Sequence, residues 1–163
     1  MSRNLTVKYF LVLLLTSTAL PSLMAQAPQA YGAPISLEAA KKAAAPALTE
    51  AAKNNWAIAV AIVDPSGNLV YYEKMDNTQF GSANIAQDKA RTAAMFKRPT
   101  KAFQDALAAG GEGLRVLGLR GVTPVEGGFP LVTEGKIVGG IGVSGMTSAQ
   151  DAQCAKAGVD GLK

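Results

Sequence analysis

The chain contains no histidine, and Cys154 is its only cysteine among 163 residues. Without an imidazole there is no Ser-His-Asp or Cys-His relay, and no zinc site built from histidine or paired cysteines. A lone thiol closes no intramolecular disulfide. Set among Ala152, Ala155 and Ala157 in a helical segment, Cys154 reads as a buried structural thiol. Aromatic residues are scarce at 6%, and the basic ones are scattered apart from Lys97-Arg98 and Lys101. That leaves neither stacking platforms nor a phosphate-tracking stripe, so nucleic acid is not a partner. General acid-base chemistry is poorly provided for as well. Asp64 and Asp76 fall in turns, where aspartate bonds its own backbone, and no spacing pairs Asp88 with Glu126.

One long apolar run is present, at the N-terminus. Arg3 and Lys8 precede an unbroken stretch from Tyr9 to Leu15, and Leu23-Met24-Ala25 supplies a small residue for cleavage. This is the pattern of a secretory signal peptide over residues 1–25, too short to span a bilayer as a helix. Export places the protein in the periplasm or outside the cell. Residues 26–34 read as a flexible Ala/Pro/Gly leader, and 35–163 as the domain. Removing the signal takes away two basic residues and no acid, so the formal charge of +4 shrinks to about +2.

Hydrophobic periodicity gives one α+β domain with an antiparallel sheet of about five strands and helices on its faces. Ser36 caps a helix over 37–53, with Pro46 inside it as an expected kink. Ala57 to Val63 alternates Ile/Val against Ala, a strand whose small face invites a closely packed helix. Asp64-Pro65-Ser66-Gly67 turns the chain into a second strand over 69–75. A helix follows over 82–97, then a short one capped by Thr100, then a glycine-rich connection over 110–121 that is either mobile or a lid. Val122 to Val125 is a candidate edge strand. Residues 129–133 and 136–143 form a hairpin on Glu134-Gly135, and Thr147 with Gln150 forms a capping box for the last helix.

Gly140-x-Gly142-x-x-Gly145 matches the dinucleotide-binding pattern letter for letter. The mechanism behind that pattern needs a βαβ unit with an acid about twenty residues on. Only 18 residues follow Gly145, room for one helix and no second strand. These glycines instead suit a buried strand passing close to another backbone.

The order of features carries a family resemblance. It runs from Ala57-Ile-Ala-Val-Ala-Ile-Val-Asp-Pro-Ser-Gly-Asn-Leu69 to Asp88-Lys89-Ala90-Arg91-Thr92-Ala93. Gly127-Gly128-Phe129-Pro130 and the string Gly135 to Gly145 follow. Together they resemble the GlcG/HbpS-like family of "haem-degrading" domains from Ile35 to Gly158; a related domain ends some corrinoid adenosyltransferases. The resemblance implies a profilin- or PAS-like α/β/α domain, assembly into dimers or higher homo-oligomers, and haem or a related tetrapyrrole as cofactor or cargo. It also implies Thr92 as an iron contact. On the helix over 82–97, Lys89, Thr92 and Phe96 share a face, and Arg91 adds a cation for propionates. Met75 and Phe80 flank the facing loop, Met75 as soft ligand or core filler. Gly127, Gly128 and Phe129 either close over a ligand or make a tight entry into a strand. Three functions follow as expectations: an exported haem-binding protein, protective or sensory; an enzyme that breaks down haem or acts on a small organic acid such as glycolate; or a non-catalytic partner of a membrane sensor.

Overall fold

A computed structural model describes residues 29–163; the proposed signal segment and the start of the leader lie outside the described residues. Helix α1 spans Leu37–Lys53, and the Ser36 hydroxyl accepts from the Ala39 N–H at 3.2 Å. Strands β1 (Ala59–Val63) and β2 (Leu69–Lys74) follow, then α2 (Ser82–Met95) and α3 (Lys101–Ala108). A 3-10 helix over Gly111–Gly118 leads to β3 (Gly128–Thr133), β4 (Lys136–Ser144) and α4 (Ser148–Leu162). The sheet is antiparallel in the order β2-β1-β4-β3.

The alternation in β1 divides two cores. Ile58, Val60 and Ile62 pack with Leu131, Ile141 and Val143, with the alanines of α1, and with Cys154 and Ala155 of α4. Ala59, Ala61 and Val63 meet Ala86, Ala90 and Ala94, four apart on α2. Small residues on both partners let α2 lie almost on the sheet backbone. A Cβ at Gly142 would stand 2.0 Å from the Ala86 carbonyl oxygen, and one at Gly140 would stand 2.5 Å from that of Ala90. Those glycines serve helix-on-sheet contact, in a sheet flanked by α2 on one face and by α1 and α4 on the other.

The architecture is as expected, and several details differ. The sheet has four strands; residues 122–125 add no fifth, because the Thr123 N–H is taken by the Thr92 hydroxyl and Pro124 has none to give. Helix α2 stops at Met95, and Lys97 takes a positive φ of 57°. Thr100 sits at the N-cap of α3 but makes no side-chain cap; its Oγ1 accepts from the Gly128 N–H at 2.9 Å. The described part of the leader is pinned along β4: Ile137 N–H donates to the Ala30 carbonyl at 2.9 Å, and Gly32 N–H to that of Ile137 at 2.8 Å. Pro46 lies within an unbroken α1.

Candidate functional site

Lys89 is buried, at 1% exposure. From α2 its Nζ donates to Asp151 Oδ2 of α4 at 2.8 Å and to the Val143 carbonyl of β4 at 2.9 Å. Asp151 Oδ1 in turn accepts from the Met146 N–H at 3.0 Å. Burial pushes the Asp151 carboxyl above the usual carboxylate range even though Lys89 pulls it down. Gly127, at φ +122°, closes over the ammonium, and a Cβ there would stand 2.9 Å from Lys89 Nζ. Lys89 is therefore a knot joining α2, β4 and α4, neither a pocket wall nor a solvated charge.

Thr92 is fully buried, and its hydroxyl is engaged twice. Oγ1 donates to the Gly121 carbonyl at 3.2 Å and accepts from the Thr123 N–H at 2.9 Å. One lone pair of this oxygen is left over, but the side chain has no exposed surface through which a macrocycle could reach it. Phe96 packs edge-on against Phe103, ring centroids 5.6 Å apart. Arg91 turns the other way, its Nε donating to the Gly67 carbonyl at 3.1 Å and its guanidinium 3.2 Å from Asp88. Gly128 spends its N–H on Thr100, and half-buried Phe129 packs on the core. Gly127-Gly128-Phe129 lead tightly into β3, with the Gly128 N–H and the Phe129 side chain both engaged within the fold. Thr92→Val should leave Thr123 N–H unpaired at a cost of about 1–3 kcal/mol. Limited proteolysis should then cut residues 110–123 several-fold faster, with the circular dichroism spectrum unchanged.

Met75 and Phe80 lie at one end of the sheet. Helix α1 terminates with Asn55 at φ 58°, and Trp56 N–H closes back on the Ala51 carbonyl at 2.9 Å. That swings the Trp56 side chain beside the β2–α2 loop. The loop is locked by Thr78, whose Oγ1 donates to the carbonyls of Met75 (2.8 Å) and Ile58 (3.1 Å). Between them lies a cleft of about 460 Å³ lined by Ala52, Asn55, Trp56, Ala57, Met75, Asp76 and Asn77. The chain leaving β4 reaches the same end: a Cβ on Gly145 would lie 2.2 Å from the Ala57 carbonyl, and Ser144 Oγ is 3.3 Å from Ser82 Oγ. Phe80 (92% exposed), Ile85 and Met146 are thus presented at this end. Lys53, in the last turn of α1, and Lys74, its Nζ 3.4 Å from the Met75 carbonyl, supply cations nearby. Sequence reasoning passed over Trp56 and Met146. The single tryptophan directly after a helix-ending Asn-Asn was the available signal.

A second cleft of about 360 Å³ is lined by Tyr31, Gly32, Pro34, Pro65, Ser66 and Met95. Its phenol is committed to the Met95 carbonyl at 2.8 Å. Among the described residues, no three carboxylates or thiols gather as a metal site.

This architecture is shared with known proteins, and residues 35–160 match the family described as haem degrading protein HbpS-like. The chain belongs to that family. It is 42% identical over 95 residues to protein GlcG of Escherichia coli K12, covering 58% of this chain and 69% of GlcG. The crystal structure of HbpS superposes with a TM-score of 0.73 at 33% identity, over 79% of this chain and 90% of HbpS. The PduOC:heme complex gives 0.71 at 25% identity, over 78% and 94%.

How well does this HbpS-like chain fit a haem? Beside Lys89 and Thr92 it does not, since both side chains are buried and their polar atoms satisfied. The Trp56–Met75 end fits better. A thioether is a known soft iron ligand, flat aromatic groups suit a macrocycle, and lysines suit its carboxylates. These are the residues that would hold the group.

Proposed function

We propose that this HbpS-like protein is an exported, homo-oligomeric binder of haem or a related tetrapyrrole, protective or sensory in role. We place its macrocycle at the Trp56–Met75 cleft. The observation that carries the reading is that cleft: Trp56, Met75 and two alanines in its lining, Phe80 and Met146 exposed at the same end of the sheet, and Lys53 and Lys74 on the elements that lead into it. The family description and the heme complex of PduOC support the choice of ligand. Burying about 400 Å² of porphyrin contributes on the order of 10 kcal/mol before association costs, so iron ligation need not be strong. Bound haem would supply a redox-active iron. The chain's own residues would hold it: Met75 as the soft ligand, Trp56 as the flat apolar contact, Lys53 and Lys74 as partners for carboxylates. Asp76 is the one titratable group lining the cleft, which favours binding over proton-coupled breakdown or turnover of a small acid.

Trp56 is the sole tryptophan, so its emission reports this site alone. Titration with hemin, corrected for inner-filter absorption, should quench Trp56 at one equivalent and shift the Soret band from that of free hemin. Met75→Ala should weaken binding about tenfold, near 1.4 kcal/mol, and move the band, while Thr92→Ala leaves the band in place. An unquenched Trp56, or a Soret shift caused by Thr92→Ala and not by Met75→Ala, would remove the assignment.

A further inference from the structure

The second cleft, at the far end of α2 from Trp56, is walled by groups that cannot easily move. Tyr31 is 43% exposed, yet it is fixed from three sides. Its hydroxyl donates to the Met95 carbonyl at 2.8 Å, and its neighbours Ala30 and Gly32 pair with Ile137 of β4. The Lys97 ammonium lies 4.1 Å from its ring centre. An aromatic ring held rigid while partly exposed is a contact surface with its ordering cost already met. Pro34 and Pro65, also in the lining, have a fixed φ. The turn that carries Pro65 and Ser66 is closed by the Asp64 carboxylate, which accepts from the N–H groups of Ser66 and Asn68 at 2.8 and 2.9 Å. Met95 is the one adaptable wall. Its sulfur lies against Gly67, where a Cβ would stand 2.9 Å from it.

The charge at this cleft comes from Lys97. Its backbone is left-handed, an uncommon state for lysine that recurs at binding sites, and its side chain lies across Tyr31. The ammonium makes one hydrogen bond, to the Gln29 carbonyl at 2.9 Å, and no carboxylate among the described residues pairs with it. The other charges nearby are spent: Arg91 on Asp88 and the Gly67 carbonyl, Asp64 on its own turn. We propose that this cleft binds a small aromatic carboxylate, with its ring against Tyr31 and Met95 and its carboxylate on Lys97. At about 360 Å³ the cleft is near the lower end of small-molecule sites, with room for one or two fused rings and not for a macrocycle. A carboxylate on an ammonium makes a charge-assisted contact, roughly twice as strong as a neutral one, whereas a cationic ligand would meet Lys97 with the same sign of charge. The site is separate from the Trp56–Met75 cleft and independent of the haem reading.

Three probes with the same naphthalene ring and different charge test this: 1-naphthoate, 1-naphthamide and 1-naphthylmethylamine. Each is titrated into the protein and followed by the amide resonances of Gly32, Ser66 and Gly67. Naphthoate should shift them saturably with a Kd on the order of 100 µM, in keeping with a ligand of this size in an open cleft. The neutral amide should bind about tenfold more weakly and the amine more weakly still. Lys97→Met keeps an apolar stem on Tyr31 and removes the charge, so naphthoate should fall to the level of the amide while the amide itself is unaffected. Lys97→Arg should keep the preference for the anion. Tyr31→Leu should weaken all three probes at least about tenfold. The ratio of naphthoate to amide within one variant is insensitive to any general loosening of the fold, so Lys97→Met remains informative even if its thermal midpoint falls. Naphthoate that shifts none of these amides, that binds no tighter than the amine, or that keeps its advantage in Lys97→Met would overturn the proposal. So would shifts centred on Trp56 and Asn77 instead. Hemin is read at Trp56 and naphthoate at Gly32 and Ser66, so the two readings fail separately.

Discussion

Lys89→Ala should lose about 3–5 kcal/mol of folding stability in urea unfolding, a large part of what a domain of this size possesses. The reason is asymmetric. The ion pair itself is weak evidence of stability, because taking two charges out of water offsets most of their attraction. Removing one partner is different: it strands the Asp151 carboxylate at 2% exposure and leaves the Val143 carbonyl without its donor. Two comparisons separate this from a mere cavity. Lys89→Met keeps the bulk and should still be strongly destabilised. Adding Asp151→Asn should recover much of that loss, since the amide carries no charge and retains an oxygen for the Met146 N–H.

The pH dependence gives a second handle on the same pair. The folded-state pKa of Asp151 is raised by burial above its unfolded value of 3.8. Such a group contributes stability in full below the unfolded pKa and loses it as pH rises through the folded one. With Lys89 gone the rise grows. The urea midpoint of Lys89→Met should therefore climb toward that of the natural protein as pH falls from 7 to 4. A gap that stays constant with pH would mean Asp151 is not the stranded group.

Gly142→Ala should cost at least about 3 kcal/mol and should lower the yield of folded protein. The new methyl would meet the Ala86 carbonyl oxygen at 2.0 Å and the Ala90 nitrogen at 2.5 Å. Both atoms are helix backbone and cannot rotate away. The helix would have to lift off β4, and it carries Lys89 and Thr92, so the knot to Asp151 and the hold on Gly121 and Thr123 would loosen together. Gly135→Ala offers a contrast: a Cβ there meets nothing within 4 Å, and the strain comes only from φ +73°. Its thermal midpoint should fall far less. Equal losses at the two positions would argue against close helix-on-sheet contact as the reason for the glycine string.

The elements themselves were legible from local patterns. Helix α1 begins at the Ser36 cap and ends at Lys53 as its apolar spacing indicates, and the Thr147–Gln150 capping box forms as read. The Ala face of β1 correctly called for a helix in close contact. What misled was side-chain direction. Lys89, Thr92 and Phe96 do share one side of α2, but that side faces β3, α4 and the connection before β3, so a stripe that reads as a ligand face is spent on structure. Val122 to Val125 has strand-like composition, yet a hydrogen bond from a residue thirty positions away claims its backbone. Trp56 and Met75 are nineteen positions apart in the chain and meet only because a left-handed Asn55 ends α1 beside the second strand.

Short-range chemistry in this chain was enough to name its helices, its hairpins, its family and the kinds of catalysis it has no residues for, because caps, turns and alternation act over a few neighbours. Which polar groups are free to meet a ligand is another matter. Lys89 and Thr92 are claimed by Asp151, Gly121 and Thr123, and those partners are brought within reach only when α2 settles onto the glycines of β4.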